Sequence, residues 1–325
     1  MKNCAIITGG SGFIGSHVVE RLTADPLIAR IIILDLVPPA FTHNKVRYCY
    51  CDIRKPIDIQ LDEGCRYTLY HLAALCKEPG YEWDEYFRTN YEGTRNICGF
   101  ALRMHIADII FTSTMMVFNP SEKKQKEEDL TAPRTAYGLS KLLAERVLLE
   151  WEQSNVSHRL RIVRPGVVFG LGEKGNFTRL AEALKKKTFV YVGRKDTIKG
   201  SIYVKEIVQF LLFVSTDRSE RTIYNFVFPE PDTIESICTI ICDVMEWRKF
   251  VIMIPYGLAL IVSYAFEALN AIGLRNPIHH RRIEKLNHST YLSVDAAIES
   301  GYIFSYTLKT AISDWKHDCK GQRLY

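Results

Sequence analysis

The run Cys4-Ala5-Ile6-Ile7-Thr8-Gly9-Gly10-Ser11-Gly12-Phe13-Ile14-Gly15 constrains the fold more than any other part of the sequence. A short apolar segment meets glycines at 9, 12 and 15 and then an amphipathic stretch from Phe13, which reads as strand, tight turn, helix. The pattern repeats downstream. Apolar runs at 30–36 (RIIILDL), 46–52 (VRYCYCD), 68–74 (TLYHLAA), 108–114 (DIIFTST) and 159–166 (RLRIVRPG) read as strands, and 84–104 and 137–153 as helices between them. Strands that are apolar throughout are buried on both faces, and intervening helices supply right-handed crossovers.

An α/β fold with a doubly wound parallel sheet, a Rossmann fold, is therefore expected over residues 1–170. Beyond about Gly170 the regularity weakens. Helical patterns at 176–187, 206–215 and 233–247 alternate with short strands, which predicts a smaller mixed α/β substrate-binding lobe mainly over 171–325, with segments near 200–215 returning to the first domain. Residues 251–266 (VIMIPYGLALIVSYAF) are apolar but broken by Pro255 and Gly257, and sixteen residues fall short of the ~20 that span a bilayer. They read as a buried helix between lobes; a helix resting on a membrane surface is the alternative.

Composition narrows the function classes. Of 325 residues, 47% are hydrophobic and 24% charged, which fits a globular chain and excludes collagen-like and disordered classes. The 42 basic residues against 37 acids give a net charge of +5 with no basic arm or stripe, so no nucleic-acid partner is expected. Nine cysteines, odd in number and without a CxxC pair, fit neither a zinc ribbon nor a disulfide framework. The apolar run at the N-terminus is too short for a secretory leader, and a cytoplasmic location is expected.

The glycine turn carries the first chemistry. Glycine permits the tight turn and the close approach of backbone to a pyrophosphate, while the helix N-terminus offers unpaired N–H groups to the anion. Asp35 follows Gly15 by twenty residues at the end of the second strand, where its carboxylate accepts from ribose hydroxyls. The same charge repels a 2′-phosphate, and Leu36, Val37 and Pro38 provide no cation for one, so NAD is expected rather than NADP. Tyr137-Gly-Leu-Ser-Lys141 places a phenol and an ammonium one helical turn apart, where the cation lowers the phenol's pKa toward neutrality. Such pairs are common on amphipathic helices. What gives this one meaning is Thr112-Ser113-Thr114 at the end of the fifth strand, where a hydroxyl holds a substrate oxygen while Tyr137 moves its proton.

Together these motifs resemble the extended short-chain dehydrogenase/reductase family, which includes nucleotide-sugar epimerases, reductases and dehydratases. Asp52-Ile53 is similar to its adenine-contacting pair, and His71-Leu72-Ala73-Ala74 to the stretch beneath the cofactor. NYEGTRNI (90–97) resembles the Asn-x-x-Gly-Thr-x-Asn helix. RPGVVFGLG (164–172), which includes Pro165, and GSIYVKEIV (200–208) match two later segments. The resemblance implies a cofactor site of Gly9, Gly12, Phe13, Ile14, Gly15, Asp35, Asp52, Ile53, Leu72, Ala73, Ala74, Tyr137, Lys141 and Pro165. It implies catalysis by Thr114, Tyr137 and Lys141, with Lys141 also holding the nicotinamide ribose. It implies a nucleotide-diphosphate sugar bound through Thr114, Met116, Asn176 and Lys199, and a homodimer formed through a four-helix contact.

Met115 and Met116 stand where the family's dehydratases carry Asp-Glu, and no glutamate follows before Glu122, so dehydration and decarboxylation are disfavoured. The reading is a nucleotide-sugar 4-epimerase. Its alternatives are a 4-keto sugar reductase, a hydroxysteroid-type dehydrogenase, and, in a different class, a non-catalytic dinucleotide sensor. Cys76 and Val167 depart from the family's pattern. Arg281, Arg282 and Lys285 read as a further phosphate contact or a solvated face. His71 reads as a core histidine, His279-His280 as no metal site, Cys238 and Cys242 as core, and 122–129 (EKKQKEED) as a solvated loop near the site's mouth.

Overall fold

A computed structural model describes residues 1–217, 219–271, 286–320 and 324. Its strands, in chain order, are β1 Lys2–Thr8, β2 Ile28–Asp35, β3 Val46–Tyr50, β4 Cys65–His71, β5 Asp108–Thr112, β6 Ser121–Gln125, β7 Arg159–Pro165, β8 Val167–Phe169, β9 Tyr191–Val192, β10 Ser201–Tyr203, β11 Ile223–Phe226, β12 Met253–Ile254 and β13 Thr290–Leu292. The helices are α1 Phe13–Thr23, α2 Trp83–Tyr86, α3 Gly93–Arg103, α4 Ala136–Gln153, α5 Asn176–Lys185, α6 Val204–Thr216, α7 Ile234–Met245, α8 Tyr256–Ala271, α9 Asp295–Glu299 and α10 Leu308–Asp318.

Seven strands form one parallel sheet in the order β3-β2-β1-β4-β5-β7-β11. The order reverses between β1 and β4, which opens a crevice at their carboxyl ends for a ligand. Register explains why the strands are apolar on every residue. Ile6 pairs with Ile32 and Ile7 with Ile33. Ile6, Ile32 and Leu34 face α3 and α4, while Ile7, Ile31 and Ile33 face α1 and α6. Each such fully buried side chain contributes roughly 1.5–3 kcal/mol. Three further parallel pairs, β8 with β10, β9 with β12 and β6 with β13, build the outer region beyond the carboxyl edge.

Three segments differ from expectation. The helix expected over 84–104 is interrupted by a wider π-type turn at Phe87–Glu92, which carries buried Asn90. The charged loop expected at 122–129 is in part a strand: β6 pairs with β13 from far along the chain, and Glu122 accepts from Ser289 N at 3.1 Å and Ser289 Oγ at 2.8 Å. Local composition hides a strand whose partner lies some 170 residues away and whose charges are paired across it. The apolar segment 251–266 is not the buried helix expected: β12 and α8 occupy it, and Val251, Met253, Leu258, Ile261 and Val262 are exposed. Apolar composition reports affinity for a nonpolar surface, and here the chain's own fold covers only one side of the helix. No described helix is long and apolar enough to cross a membrane.

Candidate active site

Gly9 adopts φ +70°, and a Cβ there would lie 2.7 Å from Ala73 N, so the turn after β1 touches the segment after β4. A Cβ at Gly15 would stand 2.0 Å from Gly9 O, which is why α1 can start directly against the turn. At its Gly12 N-cap, α1 has no side-chain cap and no acid in its first turn, so the amides at Phe13, Ile14 and Gly15 form an electropositive end suited to a pyrophosphate. Asp35 closes the other side: Oδ2 accepts from Ser11 N at 3.0 Å and Oδ1 from Val37 N at 3.2 Å, which aims the carboxylate at the turn. These residues fit NAD. Asp52 is instead gripped by Arg54, whose Nη2 lies 2.8 Å from Oδ2 and holds the carboxyl below its usual pKa. Ile53 packs on Gly93 and offers its carbonyl to Asn96 Nδ2 at 2.8 Å.

Beneath the turn runs a one-way hydrogen-bond chain. Thr94 Oγ1 donates its single proton to Asn90 O at 2.6 Å, so His71 Nε2 must be the donor in its 2.9 Å bond to Thr94. His71 Nδ1 then accepts from Thr8 Oγ1 at 2.8 Å, and Thr8 Oγ1 accepts from Ala73 N at 3.3 Å. Leu72 N bonds Thr8 O at 3.1 Å, and Ala74 continues the same segment. Burial pulls His71 down to about 3, so the ring is neutral and structural, a core histidine. Asn90 clamps the following residue, accepting from Leu75 N at 2.9 Å and donating to Leu75 O at 3.0 Å, and also donates to Ser140 Oγ on α4 at 2.9 Å.

That bond ties the segment below the turn to the helix bearing Tyr137 and Lys141. α4 is capped by Thr135, which accepts from Gly138 N at 3.0 Å. A Cβ at Gly138 would lie 2.2 Å from Met116 O, so the glycine after Tyr137 lets the helix meet the turn that follows β5. Thr114 caps that turn, accepting from Met116 N at 3.2 Å, and its side chain lies near enough to the Tyr137 phenol to lower its pKa. Thr114, Met116, Tyr137 and Lys141 thus come together at the carboxyl end of β5.

The electrostatics differ from the expectation that Lys141 lowers the phenol's pKa. Burial dominates at Tyr137, 8% exposed, and pushes it up; the Cys76 thiol adds to this, and the Thr114 side chain opposes it. Spacing along a helix fixes how near two groups are, but not the desolvation both suffer. Lys141, 1% exposed, sits 3.8 Å from the centre of the Phe111 ring. Burial pulls its ammonium down to about 7, partly countered by Glu145 and Cys76.

Behind the cluster, Arg164 and Glu145 form a buried bidentate pair, Nε to Oε1 at 3.0 Å and Nη2 to Oε2 at 2.7 Å. Ser113 Oγ donates to Glu145 Oε1 at 2.5 Å, and Arg164 Nη1 donates to Glu127 O at 3.0 Å. This network locks α4, the end of β5 and β7 to one another. Glu145 stands four residues after Lys141 on the same helix face, the one signal in the sequence that could have revealed it. Asn90 and Arg164 lie in the segments NYEGTRNI and RPGVVFGLG and Cys76 at a departure from the family's pattern, but nothing in the sequence pointed to the contacts they make here.

The outer residues are held differently. Pro165 ends β7 beside Gly166, where a Cβ would meet Gly200 O at 2.5 Å. Asn176 opens α5 and accepts from Arg179 Nη2 at 3.0 Å. Lys199 Nζ donates to His288 O at 2.6 Å, and burial draws its pKa down to about 8. Cys238 and Cys242 are buried on α7. His279, His280, Arg281, Arg282 and Lys285 lie outside the described residues. Among the described residues no group of three His, Cys, Asp or Glu side chains is placed to hold a metal ion.

Comparison with known proteins agrees with this geometry. The chain is 27% identical over 324 residues, 96% of its length and 94% of the relative's, to N-acetyl-alpha-D-glucosaminyl-diphospho-ditrans,octacis-undecaprenol 4-epimerase of Escherichia coli O157:H7. The structure of Bacillus cereus UDP-glucuronic acid 4-epimerase in complex with NAD shares its fold, with TM-score 0.74 at 16% identity, covering 97% of this chain and 99% of that one. MoeE5 in complex with UDP-glucuronic acid and NAD gives TM-score 0.73 at 20% identity with the same coverage. The model of the NAD dependent epimerase/dehydratase family matches residues 5–226, and with that turn, sheet and Thr-Tyr-Lys cluster in place, the chain belongs to this family of NAD-dependent enzymes.

Proposed function

We propose that the chain is a 4-epimerase of a sugar carried on a diphosphate, with Tyr137 as its acid/base. The observation that carries this reading is the convergence of Thr114, Tyr137 and Lys141 at the carboxyl end of β5, the strand next to β4 at the crevice. Bound NAD supplies a hydride acceptor and a positive charge on its nicotinamide ring. Tyr137 takes the proton of the C4 hydroxyl as the C4–H pair leaves as hydride, giving a ketone. Thr114 holds that oxygen by hydrogen bonding, and Lys141 would hold the nicotinamide ribose. After the ketone presents its other face, hydride returns to C4 and Tyr137 gives its proton back to the oxygen, so no net oxidant is consumed.

Gly9, Gly12, Phe13, Ile14 and Gly15 would hold the pyrophosphate, Asp35 the adenosine ribose, and Leu72 to Ala74 the floor of the site. Arg54's grip on Asp52 leaves Ile53 as the apolar half of the adenine contact. Pro165 would contact the cofactor, Met116 would line the sugar pocket, and Lys199 and Asn176 would face the diphosphate. The relative from Escherichia coli O157:H7 acts on a diphosphate sugar whose carrier is a polyprenol, while sequence alone suggests a nucleotide carrier. The sugar diphosphate is common to both. We also propose that the chain works as a homodimer.

The test is conversion of a diphosphate-linked N-acetylhexosamine without added cofactor. Retention of C4 deuterium in the product and no net NADH are expected; stoichiometric NAD(P)H consumption with a 4-keto sugar would make it a reductase, and tight dinucleotide binding with no turnover a sensor. A separate prediction concerns the cofactor. Asp35→Ala removes a charged acceptor worth roughly 1.5–3 kcal/mol, so NAD affinity should fall about 10- to 100-fold by fluorescence titration while NADP affinity changes less. An unchanged preference for NAD would reject Asp35 as the selecting residue.

A further inference from the structure

α8 leaves part of its apolar surface uncovered: Ala259 and Ser263 face inward, while Leu258, Ile261 and Val262 face out. A helix lying on a globular protein turns its polar side chains to water and its apolar stripe to the core. Here Ser263 is 0% exposed, while Leu258 and Ile261 are 53% and 69% exposed, with Val262 beside them at helical spacing. Val251 and Met253, on the strand segment leading into the helix, are exposed as well. The strand segment is anchored to the outer region: β12 pairs with β9, and Gly193 N bonds Ile254 O at 2.9 Å. Contiguous apolar surface of this kind marks a contact with something nonpolar.

The charge pattern selects the occupant. From 248 to 264 the sequence carries Arg248 and Lys249 and no acid, Lys249 being paired with Asp243 at 2.9 Å, and the fourteen residues after Ala271, which lie outside the described residues, carry four cations against one acid. An apolar face in a stretch of sequence with excess cations suits the boundary between acyl chains and anionic headgroups. The helix of sixteen residues is about 24 Å long at 1.5 Å per residue, and no described helix can span a bilayer, so this one lies along the surface.

We propose that the apolar face formed by residues 250–264 docks the enzyme on an anionic lipid bilayer, delivering the site to a diphosphate sugar whose carrier is a polyprenol anchored there. The docking stands on the exposed face alone; the choice of carrier rests on the epimerase reading above.

The experiment uses the full chain with NAD and vesicles of phosphatidylcholine containing phosphatidylglycerol. The native chain should sediment with these vesicles and less with phosphatidylcholine alone. An Ile261→Asp/Val262→Asp variant should bind at least about tenfold more weakly, with thermal midpoint and turnover of a water-soluble diphosphate sugar unchanged, but turnover of the polyprenol-linked substrate in vesicles reduced. A native chain that stays in the supernatant overturns the docking, as does a double variant that changes oligomeric state by analytical ultracentrifugation, which would make the face a contact between copies. Vesicle binding with no turnover of any diphosphate sugar would sink the epimerase reading and leave the docking intact.

Discussion

Tyr137→Phe should lower kcat by roughly 10²–10⁴-fold, the contribution of a positioned acid/base, while leaving NAD affinity nearly intact. The ring stays in its pocket between Tyr86, Leu75 and Met116, so packing is kept and only the hydroxyl is lost. Thr114 keeps the bond its Oγ1 accepts from Met116 N. Turnover and calorimetric NAD binding measured on the same preparation separate the two effects, and retained activity rejects the role proposed for the phenol. Lys141→Met should lower both, because the same ammonium is proposed to hold the nicotinamide ribose and so to place the ring against C4.

The second large effect is on stability. Glu145→Ala leaves the Arg164 guanidinium buried without its carboxylate, which costs about 3–5 kcal/mol, and it also orphans the Ser113 hydroxyl. A lower urea midpoint with an unchanged slope is expected. Adding Arg164→Met should recover much of the loss, because the uncompensated charge, not the missing contact, dominates. A double variant as unstable as the sum of the two single ones would show that the pair does not act as a unit.

Much of this arrangement was legible in the sequence because its signals are local. The apolar run, the glycines at 9, 12 and 15 and the acid at 35 fix strand, turn, helix and second strand within 35 residues. The order of the sheet follows from the alternation of strands with helices. What stayed hidden depends on distant partners or on solvent. β6 is charged along its length, and only β13 makes it a strand. Asp52 matches a family position, yet Arg54, two residues on, is free to swing onto it. The Tyr137–Lys141 spacing says nothing of the burial that raises one group and lowers the other. Hydropathy located the 251–266 segment, but only the fold shows that Ala259 and Ser263 face inward while Leu258, Ile261 and Val262 face out.

The relay under the glycine turn has a consequence for acid tolerance. Each hydroxyl from Thr8 to Thr94 already spends its one hydrogen in the same direction, so a second proton on the imidazole could enter only if Thr8 swung its own away. With the ring at about 3, this floor keeps one dipole orientation down to strongly acidic solution. Mild acidification would therefore leave as it is the bed on which the dinucleotide is proposed to rest.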